Sequence, residues 1–434
     1  MEAAAIHLRT RTYLGLLLAA AALGVVLALA TLGFLGAYGV IRDALWEELP
    51  EALGVDPHPW YAIAVTTLGG LAVGLLLVVV PGHGGHGPAE GHGLEAEPSP
   101  LSHSAGVVLV SLVSLVVGAS LGPEAALIVV AVALGNLLAS RARRAELARV
   151  FGMSGVGSVL SGLLGSPLAP AIMTLEVTQL TGRNLYVFLL PVLVASSVGL
   201  LTFDAILGGP LLAIDLPAYA DVEISHLLEA LAIGAVGAVV GLLTIAVFHV
   251  VRRAFAPVAS PVVKATLGGL GIGLVALVAG EETLFSGEHE LEVLLDDPEA
   301  YGFGALLLIL GGKIVAFGLS LECGFRGGRI FPVVFIGATV GFAATAVFDS
   351  IPLAVSAACG MTGAAVALIR LPVFVVLLVA FFASPSVLPL IVLAAVVAYV
   401  LTFDRGGLGG AAEEEKKVAT DEDLGRPGHA SSPG

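Results

Sequence analysis

Charge is what this sequence has least of. Only 12% of its 434 residues are Asp, Glu, Lys or Arg, about half the density of a soluble domain. The set AVILMFWYC supplies 57%, which excludes a soluble globular enzyme and a disordered chain. Cations are scarcer still. Nineteen Lys and Arg face 34 Asp and Glu, a formal net charge of −15, so no basic surface exists for a nucleic-acid backbone. Cysteine is nearly missing: Cys323 and Cys359 lie in apolar or Gly-rich stretches and match no metal or redox spacing. They read as two buried free thiols, not a disulfide framework. No nucleophile–base or metalloprotease motif occurs either, so no enzyme is expected.

What is present in excess is apolar run and glycine. There are 56 glycines, about 13% against an average of about 7%. In membrane helices glycine permits close packing, and in broken helices it lets bare backbone approach a ligand. After Arg9 and Arg11 an apolar run extends from Tyr13 to about Val40, too long for a signal peptide and read as a retained first span. Tyr61–Val80 is a second run. The Lys/Arg bias places the N-terminus in the cytoplasm. Two apolar stretches of only about 15 residues each, 105–118 and 123–138, fall short of the roughly 20 a span requires. They meet at a Gly-Pro break and predict a re-entrant pair. Further apolar segments run to about residue 403. The segment 281–299 holds eight carboxylates and no Lys or Arg, and reads as an extracellular loop.

The chain repeats itself. Gly152-Met153-Ser154-Gly155 returns as Gly360-Met361-Thr362-Gly363, 208 residues later, and Gly118-x3-Gly122 returns as Gly324-x3-Gly328, 206 residues later. Two matches in order with nearly equal offsets predict two structural repeats built on broken helices, with a site at the midplane. At the first break Pro123 stands at a predicted first helical position ahead of Glu124. At the second, Gly327-Gly328-Arg329-Ile330-Phe331-Pro332 opens a helix. Two helix N-termini facing one point form an anion site from unpaired N–H groups, without a fixed cation.

Several segments together resemble the CLC chloride channel and transporter family: Gly118-Ala-Ser-Leu-Gly-Pro-Glu124, Gly165-Ser-Pro-Leu-Ala169 ahead of Glu176, and Gly312-Lys313 leading to Gly327–Pro332. The similarity runs from about residue 60 to 403. It implies an all-α polytopic membrane protein of two inverted halves, a homodimer with one anion pathway per subunit, and a chloride held by backbone amides. No cofactor is implied beyond that bound chloride.

Carried over residue by residue, the resemblance also marks departures. The gating glutamate before the Gly-Pro pair is here Leu121, and the second acid of the proton-transfer pair is Val177, after Glu176. The serine of the GSGIP motif has its counterpart in Gly85-His86-Gly87-Pro88, with His86 in the serine place. The phenylalanine of GxFxP is shifted by one, to Phe331. Tyr399 lies about ten positions too early for the pore tyrosine. Proton exchange needs a titratable group at the anion site and a relay acid, and neither Leu121 nor Val177 titrates. Passive conduction is the expectation.

The predicted anion-site residues are His86, Gly87, Leu121, Gly122, Pro123, Glu124, Gly328, Arg329, Ile330 and Phe331. Glu124 either complements the dipole of its own helix or acts as a displaced gate that competes with chloride. Arg326 and Arg329 either steer anions or pair with Glu322 or a lipid phosphate. Lys313 reads as a paired or snorkelling cation, and Glu176 as structural. Two other functions stay open: a proton-coupled antiporter using Glu124 and Glu176, and a divalent-metal transporter using His83, His86 and His92. The expected organisation is an N-terminal segment and first span over 1–59, repeats over 60–207 and 208–403, and a disordered cytoplasmic tail over 404–434 with no regulatory domain. The cell membrane is the expected location.

Overall fold

The computed structural model describes residues 10–55, 59–81, 101–178, 182–211 and 214–404. The first half begins with α1 (Thr10–Asp43), which passes through one π-helical turn (Ala44–Glu48) into the short α2 (Leu49–Ala52). It continues with α3 (Pro59–Val79), α4 (Leu101–Val116), α5 (Glu124–Arg141), α6 (Ala148–Leu164), α7 (Leu168–Thr178) and α8 (Gly182–Leu207). The second half has α9 (Ser225–Phe255), α10 (Pro261–Ala279), α11 (Glu288–Asp296), α12 (Phe303–Glu322), α13 (Ile330–Thr345), α14 (Leu353–Ile369), α15 (Pro372–Phe382) and α16 (Leu388–Thr402). Among the described residues there is no strand, and eight helices are long and apolar enough to cross a membrane. The fold is that of an all-α polytopic membrane protein.

The two halves repeat one order of elements in inverted topology. The Gly-Met tetrads fall on α6 and α14, each 17 residues long. Both helices end in a left-handed cap, Gly165 at φ 75° and Arg370 at φ 65°. Each is followed by an 11-residue helix, α7 or α15.

Two of the short helices are buried along nearly their whole length. From Val150 to Leu164 every residue of α6 is buried, as is every residue of α13 from Ile330 to Ala343. These are short helices with irregular ends, and in a bilayer such ends must be covered by protein. The longer α1, α3, α9 and α10 instead expose leucine and valine, among them Leu18, Leu68, Leu228 and Val278, as lipid-facing helices do. Glycine sets the spacing where helices cross. A methyl built on Gly70 of α3 would lie 2.2 Å from the Ala265 carbonyl oxygen of α10. One on Gly269 of α10 would lie 2.1 Å from the Thr66 oxygen of α3.

Two segments differ from expectation. The stretch read as 123–138 is an 18-residue helix that continues through Ser140 and Arg141, and it qualifies as a span. Its polar end lies past the apolar run, which is why the run alone looked short. Residues 281–299 are not a loop but carry a 3-10 turn (Glu281–Thr283) and α11. Leu284, Phe285, Leu291 and Leu294 are buried in the core while Glu292 is exposed. The density of acids hides a short amphipathic helix.

Candidate functional site at the paired helix breaks

The two breaks meet. Gly122 N–H donates to the Gly328 carbonyl (3.0 Å), and Gly328 N–H donates back to Gly122 (2.5 Å), an antiparallel bridge. A two-fold relation between the halves brings equivalent segments together in this sense. The exchange extends outward. Ser320 Oγ of α12 accepts the Ser120 amide (3.0 Å), and Ser114 Oγ of α4 accepts the Arg326 amide (3.0 Å). Ser114 and Ser320 are 206 residues apart, as are Ser120 and Arg326, so each repeat satisfies the backbone of the other's break. The two serines belong to none of the sequence motifs described above. Their spacing, equal to that of the glycines, is the signal that finds them.

Pro123 is the N-cap of α5, and the helix starts at Glu124, one residue later than predicted. Glu124 is 2% exposed. Its carboxylate crosses to the other repeat, where Oε1 accepts the Ile330 amide at 2.6 Å and the Phe331 amide also faces it. The acid therefore sits on the N-terminus of α13, where unpaired amides and the helix dipole favour an anion. Its second oxygen, Oε2, is buried without a hydrogen-bond partner. Gly122 and Gly328 make the cradle. A methyl on Gly122 would fall 2.0 Å from Glu124 Oε2, and one on Gly328 would fall 1.9 Å from its Cδ. Leu121, fully buried, closes the cradle from behind, with Cβ 2.6 Å from where a methyl on Gly327 would stand. Ile330 and Phe331 are also buried and contribute amides, while Arg329 is the N-cap of α13. Of the ten predicted residues, Leu121 to Glu124 and Gly328 to Phe331 come together; His86 and Gly87 lie outside the described residues.

The remaining candidates have partners elsewhere. Glu322 is held by Arg252 in a two-bond fork, Nε to Oε2 and Nη2 to Oε1, both 3.0 Å. Arg329 stands in the field of both Glu322 and Glu124. Glu176 receives the Val373 amide (3.0 Å) and the Phe374 amide (2.7 Å), capping α15 of the other repeat. Lys313 is fully buried, so it does not snorkel. Its Nζ donates to the carbonyls of Glu282 (3.2 Å), Leu284 (2.7 Å) and Phe285 (3.1 Å), and lies 4.6 Å from the centre of the Phe335 ring. Tyr399 lies under the Arg370 guanidinium near the end of α16, away from the breaks. Cys323 and Cys359 are buried free thiols. His83 and His92 lie outside the described residues, among which no group of three potential metal ligands occurs.

The Glu288 carboxyl, on α11 outside the spans, is pushed up to about 8 by burial and then by Glu290 and Glu124, against the pull of Arg42. Burial and the neighbouring Glu282 also raise Glu281.

Comparison with known proteins agrees with this architecture. A crystal structure titled as a slow cyanobacterial Cl-/H+ antiporter superposes with a TM-score of 0.81 at 19% identity, covering 96% of this chain and 100% of that one. One titled as a CLC-type fluoride/proton antiporter gives 0.76 at 20% identity, covering 91% and 97%. Both likenesses are of fold. In sequence, a protein of Escherichia coli O81 named "Putative ion-transport protein YfeO" is 30% identical over 366 residues, 82% of this chain and 85% of the relative. The protein of the same name from Escherichia fergusonii is 29% identical over the same length. The family profile described as voltage gated chloride channel matches residues 69–402. The chain belongs to the voltage gated chloride channel, or CLC, family.

Proposed function

We propose that this protein conducts chloride or a similar small anion passively across the cell membrane, as a homodimer with one pathway per subunit and both termini in the cytoplasm. The observation that carries the proposal is the Glu124 carboxylate lodged on the Ile330 amide between two glycines. A carboxylate is itself an anion, so its place on the Ile330 amide supports the reading that a halide is received there. Ile330 and Phe331 offer backbone amides rather than a fixed cation, while Gly122 and Gly328, whose own N–H groups pair with each other's carbonyls, supply the space. An anion held that way binds without being trapped, as conduction requires. Leu121, Pro123 and Arg329 shape the wall.

Glu124 acts here as a displaced gate. One of its oxygens is well bonded and the other is orphaned, so the carboxylate gains less from the cradle than full satisfaction would give. An incoming anion competes for the same amides. Proton-coupled exchange through Glu124 and Glu176 is disfavoured, because both Glu176 oxygens are engaged in capping α15 and Val177 offers no second acid. A chloride electrode recording efflux from proteoliposomes tests the proposal. Wild type is expected to release chloride, and Glu124→Gln to release it several-fold faster. No efflux from either protein would overturn it.

A further inference from the structure

One face of the paired breaks is covered by the turn 284–287 and by α11. Phe285 N–H donates to the Gly118 carbonyl of the first break (3.3 Å). Gly287, at φ 98°, presses on α13, and a methyl there would stand 2.8 Å from Phe335 Cβ. Lys313 holds the turn from behind through three carbonyls. The Arg42 guanidinium stacks 4.9 Å from the Phe285 ring centre. The residue that leaves this clamped turn is Glu288. One oxygen of Glu288 and one of Glu290 are buried with no hydrogen-bond partner, and Glu290 is only 9% exposed.

Every element around Glu288 contributes charge. On α11 itself stand Glu290 and Glu292, on α1 Arg42, with Tyr38 and Asp43 in the same cluster, on α5 Glu124, on α12 Lys313, and on the 3-10 turn Glu282. Two cations face more acids than they can neutralise. A carboxyl with one buried, orphaned oxygen among excess acids is favoured in its protonated form.

We propose that Glu288, with Glu290 beside it, is a proton-binding site whose occupancy is linked to anion occupancy of the cradle at Glu124. This rests on the cradle being an anion site. An ionised Glu288 repels any anion there, and a protonated one does not. Reciprocally, an anion entering the cradle draws a solvent proton onto Glu288 and returns it on leaving. The carboxyl's elevated titration range, up to about 8, puts this exchange near neutral pH. The coupling passes through charge on one face of the cradle, so it needs no relay across the membrane and is compatible with passive conduction.

The test uses the full-length purified protein in detergent with Glu124→Gln as background, so that the cradle itself does not titrate. Chloride binding, and fluoride in a second arm, is measured by titration calorimetry at pH 6.5 and 9.5. At pH 8 it is repeated in two buffers of different ionisation enthalpy to count protons. Affinity is expected to be about tenfold tighter at the lower pH, the effect of one unit charge nearby at intermediate dielectric, with proton uptake on binding. Adding Glu288→Gln should abolish both, while Glu288→Asp should keep them. If the background protein binds chloride equally at both pH values, or the pH dependence survives Glu288→Gln and Glu290→Gln, the inference is wrong while the cradle stands. If no variant binds either halide at any pH, the cradle reading itself fails.

Discussion

Glu124 and the two glycines around it form the smallest unit of this site, and they are mutually dependent. A methyl at Gly328 collides with the carboxylate 1.9 Å away, so Gly328→Ala is expected to destabilise by roughly 1–3 kcal/mol through overpacking. Combining it with Glu124→Ala removes the obstacle and should restore most of the loss, read as thermal unfolding of the purified protein. A second change with no recovery would mean the two groups do not share the space. Glu288 gives a pH-dependent counterpart. Its carboxyl titrates in the fold at about 8, above the ordinary 4.5, so the folded protein binds that proton more tightly than the unfolded chain. Its contribution is therefore complete at low pH and is lost as pH rises from about 4.5 to about 8. Glu288→Gln should match wild type at pH 4 and be more stable at pH 9, in a melting-temperature series. Where Glu124 sits could not be read from sequence. Its spacing within the first helix suggests a cap on its own dipole, and its partner is an amide 206 residues further on.

At the scale of elements, two side chains hold helix termini that the chain does not hold locally. Glu176 caps α15 from α7, and its replacement by Ala should cost about 1 kcal/mol, as for other lost caps, with the earliest hydrogen exchange at residues 372–376. Lys313 supports the turn before α11. Lys313→Met would leave three carbonyls without their donor, each worth roughly 1–3 kcal/mol when buried and unpaired. Faster exchange confined to peptides covering 280–297 is the expected result, and unchanged exchange there would contradict the role. The lengths and order of the apolar helices were legible because hydrophobic runs dominate a membrane sequence. α11 was not, since its buried face rests on Leu291 and Leu294 among four acids, a pattern that looks solvated until the neighbouring helices are in place.

The molecule as a whole is organised by its internal two-fold. The repeat was visible because two glycine patterns recur with nearly the same offset. What the pattern did not reveal is that the halves exchange hydrogen bonds, Ser114 to one break and Ser320 to the other. Ser114→Ala and Ser320→Ala are expected to destabilise by similar amounts, about 1 kcal/mol each, in matched unfolding experiments; a large inequality would argue against equivalent roles. The symmetry fails at one place that matters. The position of Glu124 in the first repeat is occupied by Ile330 in the second, so Glu124 has no carboxylate counterpart across the bridge. Leu121 and Val177 cannot carry protons, and the proposed passive conduction predicts anion movement with no partner flux. The most direct measurement is the pH inside proteoliposomes of the wild-type protein under an imposed chloride gradient, with the membrane potential clamped. Chloride should run down with no accompanying proton movement. Uphill proton transport that stops when the chloride gradient is dissipated would contradict passive conduction.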